Sequence, residues 1–583
     1  MSRTTAARLG GALFALVFLS FSMMGCGAVE SESGSSSSQP DSSSVSSSLS
    51  ESSSEAPSSA QPERTVSIEL LGDTGKADGD GVTIDRNRIV ITKGGDYRIS
   101  GALFDGQLIV ETDGKETVRL LLNGVNLYCS DSAPLLVRST GETIVTLADN
   151  SANVLADAKA TRRAEDWGVP QAAVYCRGDL TIQGNGTLQV DAPYQNGVQS
   201  EGALQIAGGV LKIQAERVGL RGGDALQVRN AILTVQAGDD GLQADGGEGG
   251  DQGAVLIESG NLTLTTGGDG IQAGGQLRFN NGSCTIQAGG GCAFTARYTD
   301  DWTDEGSAKG LKAGTDLLVA GGRFDIDAAD DALYAKGTMQ LSGGALQLRS
   351  AADGVHAAVS LQIHSGTVTV LQALQGLTSA TITLRGGTVH IAARDCGVRA
   401  AGQSDPAPDD APADSPLRIE GGLLVVDAEG EGLDADGGVH MTGGTVLVGR
   451  SAGNESDKPD DAFLVDGGTL IVAGGGTRAV SAQSGQYVLA LTLPEQTAGT
   501  LVHLETAEGK SLLTYAPSRA YGSVLLSLPT LEPDVSYLLY VGGAANGMVS
   551  DGVYTGGSYT GGARAAAFQI TGPVTELTAP DEP

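Results

Sequence analysis

Large aromatic residues and basic residues are both scarce in this 583-residue chain. It has 2 Trp and 9 Phe, and its 69 acidic residues against 36 basic ones give a formal net charge of −33. This charge argues against binding nucleic acid or an anionic membrane through bulk electrostatics, and it is compatible with binding cations. The few aromatics and 87 Gly argue against several ordinary globular domains and favour one long repetitive body.

Cysteine pairs with recognisable spacing are also missing. After Cys26 the cysteines are Cys129, Cys176, Cys284, Cys292 and Cys396, and none of them belongs to a C-x-x-C motif. An odd number without such spacing predicts buried apolar side chains rather than a disulfide framework or a metal site. Cys284 and Cys292 are the one near pair, and their spacing leaves a disulfide open.

No apolar run after residue 24 is long enough to span a bilayer. The start of the chain has Arg3 and Arg8, then an almost uncharged run that ends at Gly25-Cys26. Residues 1–26 are therefore predicted to be an export signal whose end resembles a bacterial lipobox, with Cys26 as the lipidated residue. We expect a lipid anchor at the extracellular face of the cell membrane as the only membrane contact. Ordinary secretion with an incidental Cys26 is the alternative.

Composition divides the rest of the chain into four segments. Residues 27–63 are mostly Ser, with too few apolar side chains to fold, and predict a disordered tether. Residues 64–160 are predicted to form an N-terminal cap and the first coils, and 161–484 the repetitive body. Residues 485–575 contain longer apolar strands with prolines between them, which predicts a small C-terminal β cap.

A repeat of about 22 residues predicts the fold. Its landmark is a glycine followed by an apolar residue, spaced by 22 residues wherever nothing is inserted and once by 21. The landmark recurs at Gly197, Gly219, Gly241, Gly270, Gly310, Gly354, Gly376, Gly397 and Gly432, with Ala332 and Ala462 in the same role. Each unit holds three short alternating strands and has no room for a helix. The sequence therefore predicts an all-β protein, a right-handed parallel β-helix with about 22 residues per coil and a small C-terminal β cap.

Acidic residues before the landmark predict a cation site. In stacked coils about 4.8 Å apart, Asp240 lies over Asp269 and Asp331 over Asp353. Carboxylates at that distance repel by roughly 3–4 kcal/mol at an effective dielectric of 20, so a cation, a raised pKa or solvation must offset the repulsion. Clustered hard oxygen ligands favour calcium. The alternative is ordinary Asp-Gly turn chemistry with solvated side chains.

An insertion at 295–309 adds acidic and aromatic residues to this region. The candidate calcium ligands are Asp239, Asp240, Asp269, Asp300, Asp301, Asp304, Asp330, Asp331 and Asp353. The candidate carbohydrate-binding residues are Trp302, Tyr298, Tyr334 and Lys312. The five histidines, His356 and His503 among them, lack ligand spacing and are predicted to be surface strand residues.

The repeat units resemble a bacterial family of carbohydrate-binding domain proteins. The resemblance runs over about residues 65–575 and is carried by residues 322–333, by the loop ending at 304–313 and by the opening stretches 101–110 and 122–126. It implies a lipoprotein with a pectate-lyase-like β-helix that holds calcium and binds cellulose or acidic sugars. Because the chain has too few tryptophans for a flat cellulose platform, we expect acidic polysaccharide such as polygalacturonate, bridged by calcium.

Two other functions compete with polysaccharide binding. A calcium-dependent polysaccharide lyase needs a base beside the metal, and Arg297, Lys309, Lys312 and Arg349 are its candidates. A passive spacer or adhesin needs no sugar site at all. We expect a non-catalytic monomer with polysaccharide as its partner.

Overall fold

The computed structural model describes residues 65–139, 141–159, 162–163, 165, 168–246, 252–293, 306–402, 416–450, 463–475 and 480–579. The chain divides into two compact units, Met1–Gln61 and Pro62–Pro583, and every described residue belongs to the second. The export signal, Cys26 and the Ser-rich tether lie outside the described residues and stay predictions. Within the described ranges the named regular elements are all β-strands, and none of these ranges contains a helix able to cross a membrane.

The N-terminal part contains eleven strands. They are β1 (Val66–Gly72), β2 (Gly75–Ala77), β3 (Val82–Asp85), β4 (Arg88–Ile91), β5 (Gly95–Leu103), β6 (Gln107–Glu111), β7 (Thr117–Cys129), β8 (Leu135–Ser139), β9 (Glu142–Leu147), β10 (Ala152–Asp157) and β11 (Ala172–Cys176). Antiparallel pairs β1–β2 and β3–β4 occur only at the start of this part, and parallel pairing begins with β1–β5 and β4–β6.

The central part contains thirty strands. They are β12 (Leu180–Ala192), β13 (Asn196–Ser200), β14 (Ala203–Ala215), β15 (Leu220–Gly222), β16 (Ala225–Val228), β17 (Ala231–Ala237), β18 (Leu242–Ala244), β19 (Ala254–Ile257), β20 (Gly260–Thr266), β21 (Ile271–Ala273), β22 (Leu277–Phe279), β23 (Ser283–Ala288), β24 (Leu311–Ala313), β25 (Leu317–Val319), β26 (Arg323–Ala328), β27 (Leu333–Ala335), β28 (Thr338–Leu341), β29 (Ala345–Ser350), β30 (Asp353–Ile363), β31 (Thr367–Ala373), β32 (Gln375–Leu384), β33 (Thr388–Ala393), β34 (Val398–Ala400), β35 (Leu417–Ile419), β36 (Leu423–Ala428), β37 (Leu433–Ala435), β38 (Val439–Met441), β39 (Thr445–Arg450), β40 (Phe463–Val465) and β41 (Thr469–Gly474).

These strands pair in three parallel ladders. Ladder I runs through β11, β13, β15, β18, β21, β24, β27, β30, β32, β34 and β37. Ladder II includes β16, β19, β22, β25 and β28, and ladder III includes β17, β20, β23, β26 and β29. Successive units of the repeat therefore stack as coils, and the prediction of an all-β chain with mostly parallel strands is confirmed.

The register of ladder I reproduces the landmark spacing. Val198 pairs with Leu220 and Leu220 with Leu242, a step of 22 residues each time. Leu242 pairs with Ile271 and Ile271 with Leu311, so the insertions lengthen a coil without changing the register of the strands. The landmark glycine lets coils approach closely, since a Cβ on Gly241 would lie 2.6 Å from the carbonyl oxygen of Gly270.

The interior of the stack is one continuous column of small and branched apolar side chains. Strands of ladder I show the pattern buried, half-buried, buried, so one residue per coil points outward. Aromatic packing is limited to single positions such as Phe279 on Phe324, whose ring centroids are 4.5 Å apart. A stack of short identical turns leaves room for one side chain per strand position, which explains how the chain folds with so few aromatics.

The C-terminal part closes the stack with strands that mostly pair antiparallel. They are β42 (Val488–Gln496), β43 (Val502–Thr506), β44 (Ser511–Tyr515), β45 (Tyr521–Ser527), β46 (Ser536–Val541), β47 (Ala544–Ala545), β48 (Met548–Ser550), β49 (Val553–Thr555), β50 (Tyr559–Thr560), β51 (Ala563–Gln569) and β52 (Val574–Thr578). β42 and β52 form a parallel pair. β45 pairs antiparallel with β41 of the last coil, which removes the open strand edge there. A six-stranded sheet with the strand order β48-β49-β44-β43-β46-β51 contributes to a second hydrophobic core. This core includes Tyr515, Tyr521 and Tyr537.

The cysteines lie as isolated side chains. Cys129, Cys176, Cys284 and Cys396 are buried and Cys292 is half-buried, and all five are free thiols. The prediction of buried apolar cysteines fits four of them, and Cys284 and Cys292 are not joined by a disulfide.

A buried ion pair ties the segment after β10 to the stack. Arg162 pairs with Asp157, and their side chains are 1 % and 0 % exposed. Arg162 also donates to the carbonyls of Pro170 (2.8 Å) and Ala172 (2.9 Å) and lies 4.3 Å from the ring centroid of Tyr194. Every charge of this pair has a partner in the interior, which is the condition for burying it.

We expect Asp157→Ala to destabilise the protein by about 3–5 kcal/mol, because the charge of Arg162 then stays buried without its partner. The measurement is the denaturant midpoint, read by circular dichroism. Lys159→Ala is the matched control, since it breaks the exposed Lys159–Glu216 pair two residues away and should cost less than about 1 kcal/mol. Equal midpoints for the two variants would contradict a structural role for the buried pair.

Candidate functional site

The turn before ladder I stacks five charged residues in one column. The amide of Gly241 donates to the carbonyl of Asp269 (3.0 Å), that of Gly270 to Lys309 (2.8 Å) and that of Gly310 to Asp331 (3.0 Å). Ala332 continues the series to Asp353 (3.0 Å). We call Asp240, Asp269, Lys309, Asp331 and Asp353 the charged column. A lysine therefore lies between the two acidic pairs that the repeat predicts.

One carboxylate oxygen of three of the four column acids bonds to the backbone of the next coil. Oδ1 of Asp240 accepts the amide of Asp269 (2.7 Å), and Oδ1 of Asp269 accepts the amide of Lys309 (2.7 Å). Oδ1 of Asp331 accepts the amide of Asp353 (3.0 Å). This repeated bond gives a structural reason for Asp at this turn, and it leaves the second oxygen, Oδ2, for other partners.

The first acidic pair borders a surface cavity of about 560 Å³. Its lining residues are Arg217, Asp239, Asp240, Gln243, Asp269, Gln272, Ser307 and Lys312. We call this cavity the upper site. Lys312 Nζ lies 3.3 Å from Asp269 Oδ2, Ser307 Oγ donates to Asp269 Oδ1 (2.7 Å), and Arg217 pairs with Asp239 (2.9 Å). Acids and cations thus alternate around an opening large enough for a small ligand.

The amide of Gln272 closes the floor of the upper site. Its Nε2 donates to Asp240 Oδ2 at 2.7 Å and to Asp269 Oδ2 at 3.2 Å. These two hydrogen bonds satisfy the second oxygen of each buried acid without a cation. If the amide turned over, its oxygen would join the two carboxylate oxygens at one point, and a cation would be needed to hold the three together.

The electrostatics of the upper site follow from burial. Asp240 and Asp269 are 6 % and 1 % exposed. Burial, and then the charge of Asp269, raises the pKa of Asp240 to about 7. This burial does not fit the alternative in which these acids are solvated turn residues. The protein offsets their repulsion with Lys312 and with a carboxyl that holds its proton near neutral pH.

The second acidic pair surrounds Lys309, and we call this group the lower cluster. Lys309 Nζ donates to Asp330 Oδ2 (2.5 Å) and Asp331 Oδ2 (3.0 Å), and it lies 4.9 Å from the ring centroid of Tyr334. Although burial alone would lower it, the pKa of Lys309 is raised above its usual value by Asp331 and Asp330. The ammonium therefore stays charged, and it occupies the position that a metal ion would otherwise fill between the two carboxylates.

His356, an outward residue of β30, belongs to the lower cluster, although the sequence shows no ligand spacing for it. Its Nδ1 lies 3.6 Å from the carboxylate oxygens Oδ2 of both Asp331 and Asp353. Ligand atoms of these three residues lie within 4.8 Å of one another. Burial lowers the pKa of His356, but the hydrogen bond to Asp331 and the charges of both acids outweigh that effect and raise the pKa. His503 is buried in the C-terminal part, so the prediction of a surface strand residue is wrong for His503.

The three carboxyl groups of the lower cluster, those of Asp330, Asp331 and Asp353, differ strongly in pKa. Burial opposes ionisation of Asp331, but Lys309 and His356 hold the pKa of this acid well below its usual range. Burial and the charge of Asp331 raise the pKa of Asp353 to about 7. Burial, and then Asp331, also raises the pKa of Asp330. One carboxylate of the group is therefore fully ionised at neutral pH while its neighbours hold protons more tightly.

The predicted site residues divide into three groups. Asp239, Asp240, Asp269 and Lys312 meet at the upper site. Asp330, Asp331, Asp353 and Tyr334 meet around Lys309 and His356, and the ring of Tyr334 lies edge-on to that of His356 at 5.3 Å. Tyr298, Asp300, Asp301, Trp302 and Asp304 lie outside the described residues and stay predictions.

Four residues of the upper site were not predicted as site residues from the sequence: Arg217, Gln243, Gln272 and Ser307. Gln243 and Gln272 occupy the outward position of ladder I, and Arg217 lies in the turn before it. The sequence did contain a signal for Gln243 and Gln272, because the outward residue of ladder I directly follows the apolar residue of the landmark in every coil. Polar residues at that position look like ordinary solvent-facing strand residues until the acids beside them are known to be buried.

Comparison with known proteins identifies the family. The model of the carbohydrate-binding domain-containing proteins matches residues 85–354 and 350–509, which is more than half of the chain. The chain belongs to this family.

Two relatives are similar over shorter stretches. A carbohydrate-binding domain-containing protein of Acetivibrio thermocellus is 34 % identical over 154 residues, which cover 26 % of this chain and 54 % of that protein. The chain thus spans about half the length of that relative. A solved structure of the polysaccharide lyase-like protein from C. thermocellum, a gadolinium derivative, is 32 % identical, with a TM-score of 0.38 over 39 % of this chain and 92 % of that one.

We expect Lys309→Ala to lower the thermal midpoint by several degrees at pH 8, because Asp330 and Asp331 then face each other without a counter-charge. The loss should shrink at pH 5, because the raised pKa of Asp330 brings this carboxyl closer to protonation there and so weakens the repulsion. Adding Asp331→Asn to Lys309→Ala should recover part of the midpoint, since it removes the stranded charge and keeps the Oδ1 acceptor. A double variant no more stable than Lys309→Ala would contradict the pairing.

We expect the protein in chelator to lose stability as the pH rises from about 4 to 7. The folded-state pKa of Asp240 lies above the unfolded value of about 3.9, so the folded protein binds more protons in this window and stability falls with rising pH. Asp240→Asn should therefore raise the thermal midpoint at pH 8 by about 2 °C, while the exposed Asp224→Asn should leave it unchanged. A lower midpoint for Asp240→Asn at pH 8 would contradict a repulsive acid pair.

Proposed function

We propose that this protein is a non-catalytic, calcium-assisted binding protein for acidic polysaccharide, with polygalacturonate as the model ligand. The observation that carries the proposal is the upper site, where the buried acids Asp240 and Asp269 direct Oδ2 at the amide of Gln272 beside two basic side chains. Membership of a carbohydrate-binding family supports the sugar part of the proposal. The acidic-sugar preference follows from the chemistry of Arg217 and Lys312, which line the same cavity.

Calcium fits the oxygen atoms of the upper site. Oxygen ligands bind Ca²⁺ at about 2.3–2.6 Å, so neighbouring ligands lie about 3 Å apart. The amide of Gln272 lies 2.7 Å from Asp240 Oδ2 and 3.2 Å from Asp269 Oδ2, and a bound ion would require this amide to turn its oxygen to that point in place of Nε2. Lys312 lies 3.3 Å from Asp269 Oδ2, so a bound ion would turn its ammonium towards the cavity. Three protein oxygens leave the remaining coordination positions for water and a sugar carboxylate.

The lower cluster is assigned a structural role in this proposal. Lys309 already neutralises Asp330 and Asp331, so a second calcium ion would meet a buried ammonium. Calcium at Asp331 and Asp353, which the acid spacing alone predicts, therefore ranks below calcium at the upper site. Sugar stacking on Trp302 and Tyr298 remains part of the proposal through their place in the sequence just before Ser307.

Two further proposals complete this assignment. The stacked coils are proposed to wind as a right-handed parallel β-helix, the handedness that parallel β crossover connections adopt in general. The chain is proposed to be a monomer attached to the extracellular face of the membrane through a lipid on Cys26. The lipobox-like sequence before Cys26 and the Ser-rich stretch after it support the anchor.

Two of the candidate lyase bases are unsuited to that role, whereas Lys312 lies at the upper site and Arg297 lies outside the described residues. The base of a lyase must be unprotonated when it meets the substrate, but the pKa of Lys309 is raised and its ammonium is held by two carboxylates. Arg349 pairs with Asp325 on ladder III, away from the upper site. A spacer or adhesin without sugar binding remains the competing function that the next experiment separates.

We expect isothermal titration of residues 27–583 with polygalacturonate to give heat in calcium and none in chelator. Asp240→Asn should weaken binding at least tenfold, because it removes one ligand charge, whereas Asp224→Asn should bind like the parent protein. Absorbance of unsaturated products should stay flat, since no bond is cleaved. Heat that is equal in calcium and chelator would exclude the calcium part, and no heat in either would favour a spacer.

A further inference from the structure

The outward residues of ladder I form a continuous stripe that extends beyond the upper site. One such residue per coil lies next to its equivalent in the coils on either side, at a spacing of about 4.8 Å. In chain order the stripe is Arg221, Gln243, Gln272, Lys312, Tyr334, His356, Thr378, Arg399 and Asp434. The side chains of all nine residues have polar groups that are able to donate or accept hydrogen bonds.

The residues of the stripe are partly buried along its whole length. Each of its nine residues is half-buried between two buried neighbours of the same strand. On ladder III the outward residues of β17, β20 and β23 are exposed instead. The side chains of the stripe are therefore held against their neighbours more closely than those of these three strands, and the upper site is a cavity beside the stripe.

Basic side chains recur along the stripe and are held in place by acids. Arg221 pairs with Asp245 at 2.7 Å, Lys312 with Asp269 at 3.3 Å, and Arg399 with Asp434 at 3.9 Å. The chain as a whole carries a net charge of −33, so three basic residues in one stripe are unusual for this acidic chain. Arranged cations of this kind suit a ligand with repeated negative charges.

We propose that this stripe is a binding track for an extended acidic polysaccharide that runs along the stack, with about one sugar unit per coil. The inference rests on the proposed function and extends it from one cavity to a track of nine coils. The length of one pyranose unit is similar to the coil spacing, so an unbranched chain stays in register with the outward residues. Calcium at the upper site fixes the polymer at one point, and Thr378 and Arg399 bind units farther along.

A track and a single cavity differ in how affinity depends on ligand length. Arg399 lies five coils from Gln272, about 24 Å along the stack, so a trimer held at the upper site does not reach it. A polymer that fills the track gains contacts with each added unit until the stripe is covered. Affinity should therefore rise with length for a track and stay level beyond a few units for a cavity.

The test is isothermal titration, in calcium, of the parent protein, Arg399→Ala and Arg418→Ala with oligogalacturonates of three and of ten units. Arg399 and Arg418 belong to the same coil. Arg418 is the exposed outward residue of β35, which pairs with the last residues of β32 and continues ladder II there. We expect tighter binding of the ten-unit ligand by the parent. Arg399→Ala should weaken only that ligand, by about tenfold, while Arg418→Ala binds both ligands like the parent.

Each other outcome overturns the track in a distinguishable way. Equal affinity for both lengths, with no effect of Arg399→Ala, would restrict binding to the upper site and leave the proposed function intact. Equal weakening by Arg399→Ala and Arg418→Ala would reduce the effect to general charge. No binding of either ligand would remove the proposed function together with the track. Unchanged circular dichroism and thermal midpoints of both variants show that the fold is preserved.

Discussion

Backbone hydrogen bonding between coils is the constraint on which the rest of this structure depends. In three parallel ladders each strand obtains its partners from the coils on either side, so residues at equivalent positions of the repeat become neighbours. The same bonding continues through the turn before ladder I, where the amides of Gly241, Gly270 and Gly310 donate to the next coil. Like side chains are therefore forced into contact whether or not they attract one another.

The charged column is the consequence of that constraint. Asp240, Asp269 and Asp331 use Oδ1 to bind the backbone of the next coil, which places each of them close to the next residue of the column. The resulting repulsion is offset differently in the two halves of the column. Lys309 neutralises the lower cluster from within, whereas the upper site relies on Lys312, on the raised pKa of Asp240 and, in our proposal, on calcium.

The same geometry connects stability with ligand binding. In our proposal calcium relieves the repulsion between Asp240 and Asp269, so the ion would stabilise the fold by binding the folded state. Ladder I has one outward residue per coil, so the spacing of its outward residues is similar to the length of one sugar unit of a polysaccharide. A globular protein with few aromatic residues has limited means to hold a long sugar chain, but a stack of coils distributes the contacts over many weak positions.

The sequence alone determined the period, the all-β class and the vertical neighbours in the column. These follow from the spacing of Gly219, Gly241 and their equivalents, because a constant period allows only one register. It also placed Asp240 beside Asp269 and Asp331 beside Asp353. Only the tertiary structure decided that these acids are buried, that Lys309 lies between the pairs and that His356, Gln272 and Arg217 complete the two groups. Burial and side-chain direction depend on how coils pack around a turn, and the pattern of residue types along one coil does not contain that information.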